Sequence, residues 1–335
     1  MQIHRLAVAC GMLCAFLSSP VQAWSEAGHR IIASMAFRQL TPAAQRSLAA
    51  ILSQHPRFAE DFARYMPSDV ASSDESTRNE WLFQQAAIWP DMARGLPEDS
   101  KRIYNHPTWH YIDIPSFLTE EDRAALQSKI TINMALDAPE VAQQDMNAVQ
   151  TIRLARRSLT AGTENQGETA VWLCWLLHDL GDLHQPLHST AIFSAKLYPE
   201  GDKGGNSVST QQGFNLHALW DEFLGDWATF AMARDRAVEL AGRDDLAKLG
   251  RDAAAQLDEK IWLDESWHLA QTVVYCPEVL GYLRIQATRS DGQPPSPLRL
   301  SEEYLNGGVR VATNRVTQAG FRLGAVLQDI AQRHR

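Results

Sequence analysis

Cysteine is scarce in this sequence. Only 4 occur in 335 residues, and two of them, Cys10 and Cys14, sit near the start. That excludes a small scaffold stapled by many disulfides. Cys174 and Cys276 leave room for one bridge, but Cys174 falls in an apolar run where a thiol packs equally well as a small hydrophobe, so both readings stand. Positive charge is short as well. Lys and Arg number 31 against 40 Asp and Glu, a formal net charge of −9, so the side chains alone make no basic field for a polyanion. Alternating β-branched runs are nearly absent, Ser207-Val208-Ser209-Thr210 being the best short exception, which excludes a sheet-built fold. No Gly-x-Ser-x-Gly elbow appears, so a serine nucleophile of that kind is not indicated. The absence of any Asn-x-Ser/Thr acceptor favours a bacterial origin over a glycosylated eukaryotic one. With no repeat, low-complexity tract or Pro/Gly/Ser linker to divide the chain, a single domain is expected.

The N-terminus reads as an export signal. Arg5 supplies the positive start, Leu6 to Leu17 the apolar run, and Val21-Gln22-Ala23 a small-residue cleavage site. The apolar run is too short to span a bilayer. Residues 1–23 are therefore expected to be removed and 24–335 to form the mature domain, periplasmic or secreted. Cleavage after Ala23 would leave Trp24 with a free α-amine, whose ordinary pKa of about 7.7–8.0 lets it give up a proton to a metal near neutral pH. His29 follows five residues later, and this spacing points to a shared ion.

Helical periodicity dominates the rest and predicts an all-α fold. Helices are expected over 27–39, 42–54, 141–160, 168–184, 215–233, 243–260 and 302–333, with Thr41 as a cap before Pro42. Thr119-Glu120-Glu121-Asp122 is a further helix start. Asp91, His110 and the turn Gly201-Asp202-Lys203-Gly204-Gly205-Asn206 are expected in loops.

The most informative stretch is Leu176 to His188, LLHDLGDLHQPLH. His178 and Asp182 are four apart and share one helix face. Pro186 should end that helix and let His188 turn back toward the same point. The preceding Ala170-Val171-Trp172-Leu173-Cys174-Trp175-Leu176-Leu177 is apolar all round, as in a buried helix. A carboxylate and two imidazoles there are costly unless something pairs with them, and a metal ion would. Asn215-Leu216-His217-Ala218-Leu219-Trp220-Asp221 repeats the spacing, and Asp91 and His110 supply further donors. Imidazole with carboxylate suits zinc, with the other first-row ions separable only by geometry and availability. Any one His-x3-Asp pair is ordinary in a core; two pairs with Asp91, His110 and His188 point to a metal cluster.

In order, Trp24 with His29, Trp89-Pro90-Asp91, Trp109-His110, His178 with Asp182, His188, Gly204-Gly205-Asn206 and His217 with Asp221 resemble the zinc-dependent single-strand nuclease family (S-one/P-one type, nuclease I) of moulds, plants and bacteria. The resemblance runs on to Gln318-Ala319-Gly320-Phe321-Arg322-Leu323 and covers nearly the whole mature chain. It implies an all-α domain of the phospholipase C/nuclease type with three zinc ions at the bottom of a cleft. By this resemblance Asp91, His110, His178 and Asp182 hold one ion. Trp24 and His29 hold a second, with Asp182 bridging the two. His188, His217 and Asp221 hold the third. Arg94 matches a basic residue that steadies the transition state. Tyr111, Asp113 and Asn206 match a nucleobase pocket, with Tyr111 stacking on the base. His184 is not carried over as a ligand and is expected to support or cap.

The chemistry implied is hydrolysis of single-stranded DNA and RNA to 5′-nucleotides by a metal-bridging hydroxide, with 3′-nucleotidase activity, Asp91, Asp182 and Arg94 serving catalysis. Three divalent ions would add six positive charges, so the acidic balance does not exclude phosphate chemistry. The lack of the fungal disulfides and glycan sites fits a bacterial member. Two other readings compete. A zinc phospholipase C shares the fold and the N-terminal Trp ligand, but there the last carboxylate is typically a Glu and the final two His ligands lie closer. A zinc-storing protein would close its sites, whereas His188, His217 and Asp221 are only three protein ligands, as at catalytic zinc. No membrane anchor or protein partner is implied.

Overall fold

The computed structural model describes residues 24–161, 165–290 and 294–333. The expected signal segment lies outside the described residues. In chain order the helices are α1 (Glu26–Phe37), α2 (Pro42–Leu52), α3 (Ser68–Ala71), α4 (Glu75–Met92), α5 (Glu98–Tyr104), α6 (Glu120–Leu126) and α7 (Ala148–Ala161). They continue as α8 (Gln166–Asp182), α9 (Leu216–Asp221), α10 (Phe230–Gly242), α11 (Asp244–Ala254), α12 (Glu259–Leu269), α13 (Pro277–Thr288) and α14 (Glu302–Arg333). The chain is all-α, as its periodicity implies.

Local chemistry sets the helix ends. Thr41 accepts from the Ala44 amide with Pro42 at the first helical position of α2, and Thr119 caps α6 in the same way on Asp122. The helix expected over 141–160 begins only at Ala148. Asn147 is the reason: its Oδ1 takes the Gln150 amide, while its Nδ2 donates to the carbonyls of Asn133 and Ala135 and holds the preceding loop off the helix axis. The expected 215–233 helix is two helices, parted where Gly225 takes a φ of 104° and Thr229 caps α10. The expected 243–260 helix likewise ends at Ala254, and Asp258 starts α12.

One expectation is corrected outright. Asp91 lies in α4, not in a loop. Pro90 suggests a break, yet it sits in the last turn, and Glu80 through Pro90 are buried on every side of this helix, so no apolar stripe marks it. Ser207–Thr210 is not a strand; Thr210 makes a lone bridge to Leu298. The strands are β1 (Ile114–Phe117) and β2 (Thr190–Phe193), paired in parallel from Ile114 opposite Thr190 to Phe117 opposite Phe193.

The largest buried cluster takes Trp24 from one end and Ala331 from the other. Within it α1 packs on α4, α10 and α14, and α8 is held between α4 and α7. Cys174 is buried in this cluster, whereas Cys276 packs against a second one around Trp220 and Tyr275. Both are free thiols, so no disulfide joins them. Among the described residues no helix is long and apolar enough to cross a membrane.

Candidate metal centre

α8 is the spine of the site. Its apolar body buries Leu173, Trp175, Leu176, Leu177 and Leu180, which carries His178 and Asp182 into the interior, both fully buried. The helix stops at Asp182, and Pro186 opens the short turn Pro186–Ser189 that returns His188 to the same place. α1 brings His29, the end of α4 brings Asp91, and the turn Pro107–His110 before β1 brings His110. α9 supplies His217 and Asp221.

Asp182 lies at the middle. Its carboxylate is 3.2 Å from His29 Nε2, 3.2 Å from His110 Nδ1 and 3.2 Å from His178 Nε2. His188 Nδ1 stands 3.9 Å away. Asp91 Oδ1 lies 3.7 Å from His178 Nε2 and 3.9 Å from His110 Nδ1. The rings of His29 and His178 stack at 4.0 Å. Beside this group, His217 Nε2 is 3.5 Å from Asp221 Oδ2, and Gln185 donates to the other Asp221 oxygen at 2.7 Å.

The hydrogen bonds behind the rings fix their tautomers. Nδ1 of His178 donates to the Ala87 carbonyl at 2.7 Å, that of His188 to the His110 carbonyl at 2.6 Å, and that of His217 to the Gly204 carbonyl at 2.7 Å. A carbonyl only accepts, so in the neutral ring each Nε2 is a bare lone pair. The Nε2 atoms of His188 and His217 nevertheless face each other at 3.0 Å. Two lone pairs at that distance repel unless a cation lies between them.

Burial keeps three of these rings neutral, whereas His178, which burial would lower, is raised by the Asp182 and Asp91 charges that face it. Burial lowers the pKa of His29 and His188, and together with the Arg94 charge it takes His110 down to about 3. Burial alone would raise the Asp182 carboxyl; the facing rings of His178, His110 and His29 reverse this and hold it well below the usual range. Asp221 is pushed up by burial. Neutral His29, His110 and His188 beside an ionised Asp182 are the protonation states that metal ligation requires, and a cation at Asp182 would take the place of the proton that its charge draws to His178. His110 Nε2, both ring nitrogens of His29 and Asp182 Oδ1 also lack a hydrogen-bond partner among the described residues. Donor set and orphaned atoms both fit divalent metal.

Trp24 is buried against this cluster. Its indole donates to the Gly181 carbonyl at 3.0 Å, and the next amide, of Ser25, donates to the Asp221 carbonyl at 3.2 Å. Trp24 is thereby tied through its indole to the residue before Asp182, and its neighbour Ser25 to Asp221 itself. Gly28 leaves room for it, since a Cβ there would come within 2.8 Å of Trp24 Cβ. Arg94 reaches back over Asp91, with Nη2 at 2.8 Å from Oδ1.

A pocket of about 370 Å³ adjoins the centre and shares His217 with it; Tyr111, Asp113, Lys203 and Gly204 line it too. Burial and the nearby Asp202 charge push Asp113 up to about 7. Asn206 does not line this pocket. Its Nδ2 donates to the Lys203 carbonyl at 2.8 Å and its Oδ1 accepts from Asn215, so it ties the turn together. That turn depends on glycine: Gly204 has a φ of 59°, and a Cβ there would lie 2.5 Å from the Leu187 carbonyl oxygen.

His184 faces away from the centre. Nδ1 donates to the Leu180 carbonyl and Nε2 accepts from Arg322 at 2.9 Å, while burial, Arg315 and Arg322 depress its pKa. Sequence reasoning missed one acid. Asp179, next to His178, is fully buried, and burial with the charges of Asp182 and Asp91 raises its carboxyl well above the usual range. The available signal was an acidic residue on a helix that is otherwise apolar all round.

Comparison with known proteins gives a consistent result. A family model described as S1/P1 Nuclease matches residues 24–332. Endonuclease 1 of Arabidopsis thaliana is 24% identical over 97% of this chain and 93% of its own length. Endonuclease 2 of the same plant is 22% identical over 98% of this chain and 97% of its own. Endonuclease 3 is 28% identical over 47% of this chain and 50% of its own.

Proposed function

The chain belongs to the S1/P1 nuclease family, and from that premise we propose that it is an exported zinc-dependent endonuclease and 3′-nucleotidase. It hydrolyses single-stranded DNA and RNA to 5′-nucleotides after residues 1–23 are removed. The observation that carries the metal reading is the 3.0 Å approach of two Nε2 lone pairs, on His188 and His217, whose Nδ1 protons are both committed to carbonyls.

The residues that would hold three ions fall into three sets, two of which share Asp182. Asp91, His110, His178 and Asp182 would take one; Trp24, His29 and Asp182 a second; His188, His217 and Asp221 the third. Bound divalent ions supply charge neutralisation at a phosphodiester and lower the pKa of water toward 7. The chain's own groups do the rest. Arg94, held by Asp91 at a half-buried rim, donates to phosphate oxygens as charge builds there. Gln185 fixes the Asp221 carboxylate, and the carbonyls of Ala87, His110 and Gly204 fix three imidazoles, so the donors are arranged before substrate arrives.

Tyr111 offers a stacking face in the pocket beside His217. Only an unpaired base can present its own face to it, which accounts for single-strand preference. Asp113, with a pKa near 7, can donate to or accept from a base edge, and Asn206 completes the base site by holding the Lys203–Gly204 turn.

Tyr111→Ala is expected to raise KM for 3′-mononucleotides about five- to a hundredfold, the range that loss of one base–aromatic stack implies. Hydrolysis of a base-free phosphodiester should hardly change. Steady-state kinetics on both substrates decide: equal losses would place Tyr111 in support of His110 rather than in a base pocket. The function itself is tested by product analysis on single-stranded DNA, RNA, duplex DNA and phosphatidylcholine, with and without chelator. Chelator-sensitive release of 5′-nucleotides from single strands supports the proposal. Faster turnover of phosphatidylcholine overturns it.

A further inference from the structure

Asp179 sits in α8 between His178 and Asp182, and its side chain is fully buried. Neither carboxylate oxygen has a hydrogen-bond partner among the described residues. One of its oxygens belongs to a group of potential ligand atoms, with those of His110, His178 and Asp182, that all lie within 4.8 Å of one another. An ionised carboxylate in such a place is strongly unfavourable without a cation. Protonation does not resolve the problem, because the neutral acid would still bury a hydroxyl donor and a carbonyl acceptor with nothing to bond. A cation bound among these donors satisfies the oxygens where they stand.

We propose that Asp179 is an additional ligand of the metal centre, giving a carboxylate oxygen to the ion held by His110, His178 and Asp182. This rests on the metal-centre reading above and extends its donor set by one residue. A further anionic oxygen tightens the hold on that ion and lowers the net positive charge of the centre. It also makes the site more hospitable to oxygen-preferring ions such as manganese than a ligand set richer in imidazole would be.

The test uses the chain beginning at Trp24, as wild type, Asp179→Asn and Asp179→Leu. Metal content is measured by plasma mass spectrometry, zinc release by a chromogenic chelator, and melting temperature with and without zinc. Both variants should lose one equivalent of zinc or release it at least about tenfold faster. Asp179→Leu should melt above wild type when metal-free, because the unpaired carboxylate is gone, and below it when zinc-loaded. That reversal of sign is the signature of a ligand. Full metal content with unchanged release, and a melting temperature raised in both states, would show a buried acid with no ligand role and overturn the proposal. If Asp179→Leu does not fold, Asp179→Asn still reports release and content. A wild-type protein that binds no zinc would sink the metal reading itself, and this proposal with it, whatever the variants do.

Discussion

Asp182→Asn is expected to empty the centre of at least two ions and to abolish turnover. The carboxylate is fully buried and lies 3.2 Å from each of three imidazoles, on α1, on the turn before β1 and on α8 itself. Asparagine keeps the shape but removes the charge that offsets two cations at once. It also places an amide NH2 where lone pairs should converge. Loss of one transition-state donor at a preorganised site costs about a hundred- to a thousandfold in rate, and loss of a bridging ligand should cost at least that. Metal analysis and kcat on the purified variant check this, with far-UV circular dichroism as the control for folding. A variant that keeps its metal and more than a tenth of its rate would contradict the bridging role.

The second large effect lies behind the centre. Glu265 binds Arg322 through both oxygens, at 2.8 and 2.6 Å, and Arg315 at 2.5 Å. Both guanidinium groups are fully buried on α14. Arg315 also donates to the His184 carbonyl and to Ser266, and Arg322 to His184 Nε2. These contacts tie the end of α8 to α12 and α14. Glu265→Ala would leave two buried cations without their carboxylate, a change that costs about 3–5 kcal/mol where both partners are buried and less here, because the Glu265 side chain is 32% exposed. Denaturant unfolding should show that loss, and Glu265→Gln a smaller one because the hydrogen bonds survive in part. A midpoint unchanged by Glu265→Ala would mean that other groups carry the two arginines.

The same acid sets a pH dependence. Burial alone would raise the Glu265 carboxyl, but hydrogen bonding to Arg322 and the Arg315 charge lower it below its ordinary 4.5. A lowered pKa in the folded state means that the stabilisation is complete above about 4.5 and is lost as pH falls through the folded value. The difference in stability between wild type and Glu265→Gln should therefore shrink as the medium is acidified.

Much of the centre could be read from the sequence because its ligands obey short-range rules. His178 and Asp182, and His217 and Asp221, are i, i+4 pairs on helices whose neighbours are apolar, so burial of a charged pair was foreseeable. Pro186 ended α8 for the reason that proline ends helices. What stayed hidden depends on contacts distant in sequence. α4 gives no amphipathic stripe because α1, α2 and α8 enclose it, and Pro90 disguises it further. The β1–β2 pair joins segments more than seventy residues apart, and neither segment alternates strongly enough to declare itself. Cys174 and Cys276 could not be resolved as thiols until they were placed in different clusters. Asp179 looked like an ordinary helix residue, because one carboxylate beside a motif carries no sign of where it points. Asn206 is bonded to the turn that shapes the pocket rather than exposed on its lining, a distinction that spacing does not express.

This cluster of histidines and aspartates is expected to hold three ions. Anomalous diffraction at the zinc absorption edge, from crystals of the chain beginning at Trp24, tests it most directly. Three peaks are expected: one among Asp91, His110, His178 and Asp182, one between Trp24, His29 and Asp182, and one among His188, His217 and Asp221. A single peak, or density for zinc only at the protein surface, would contradict it.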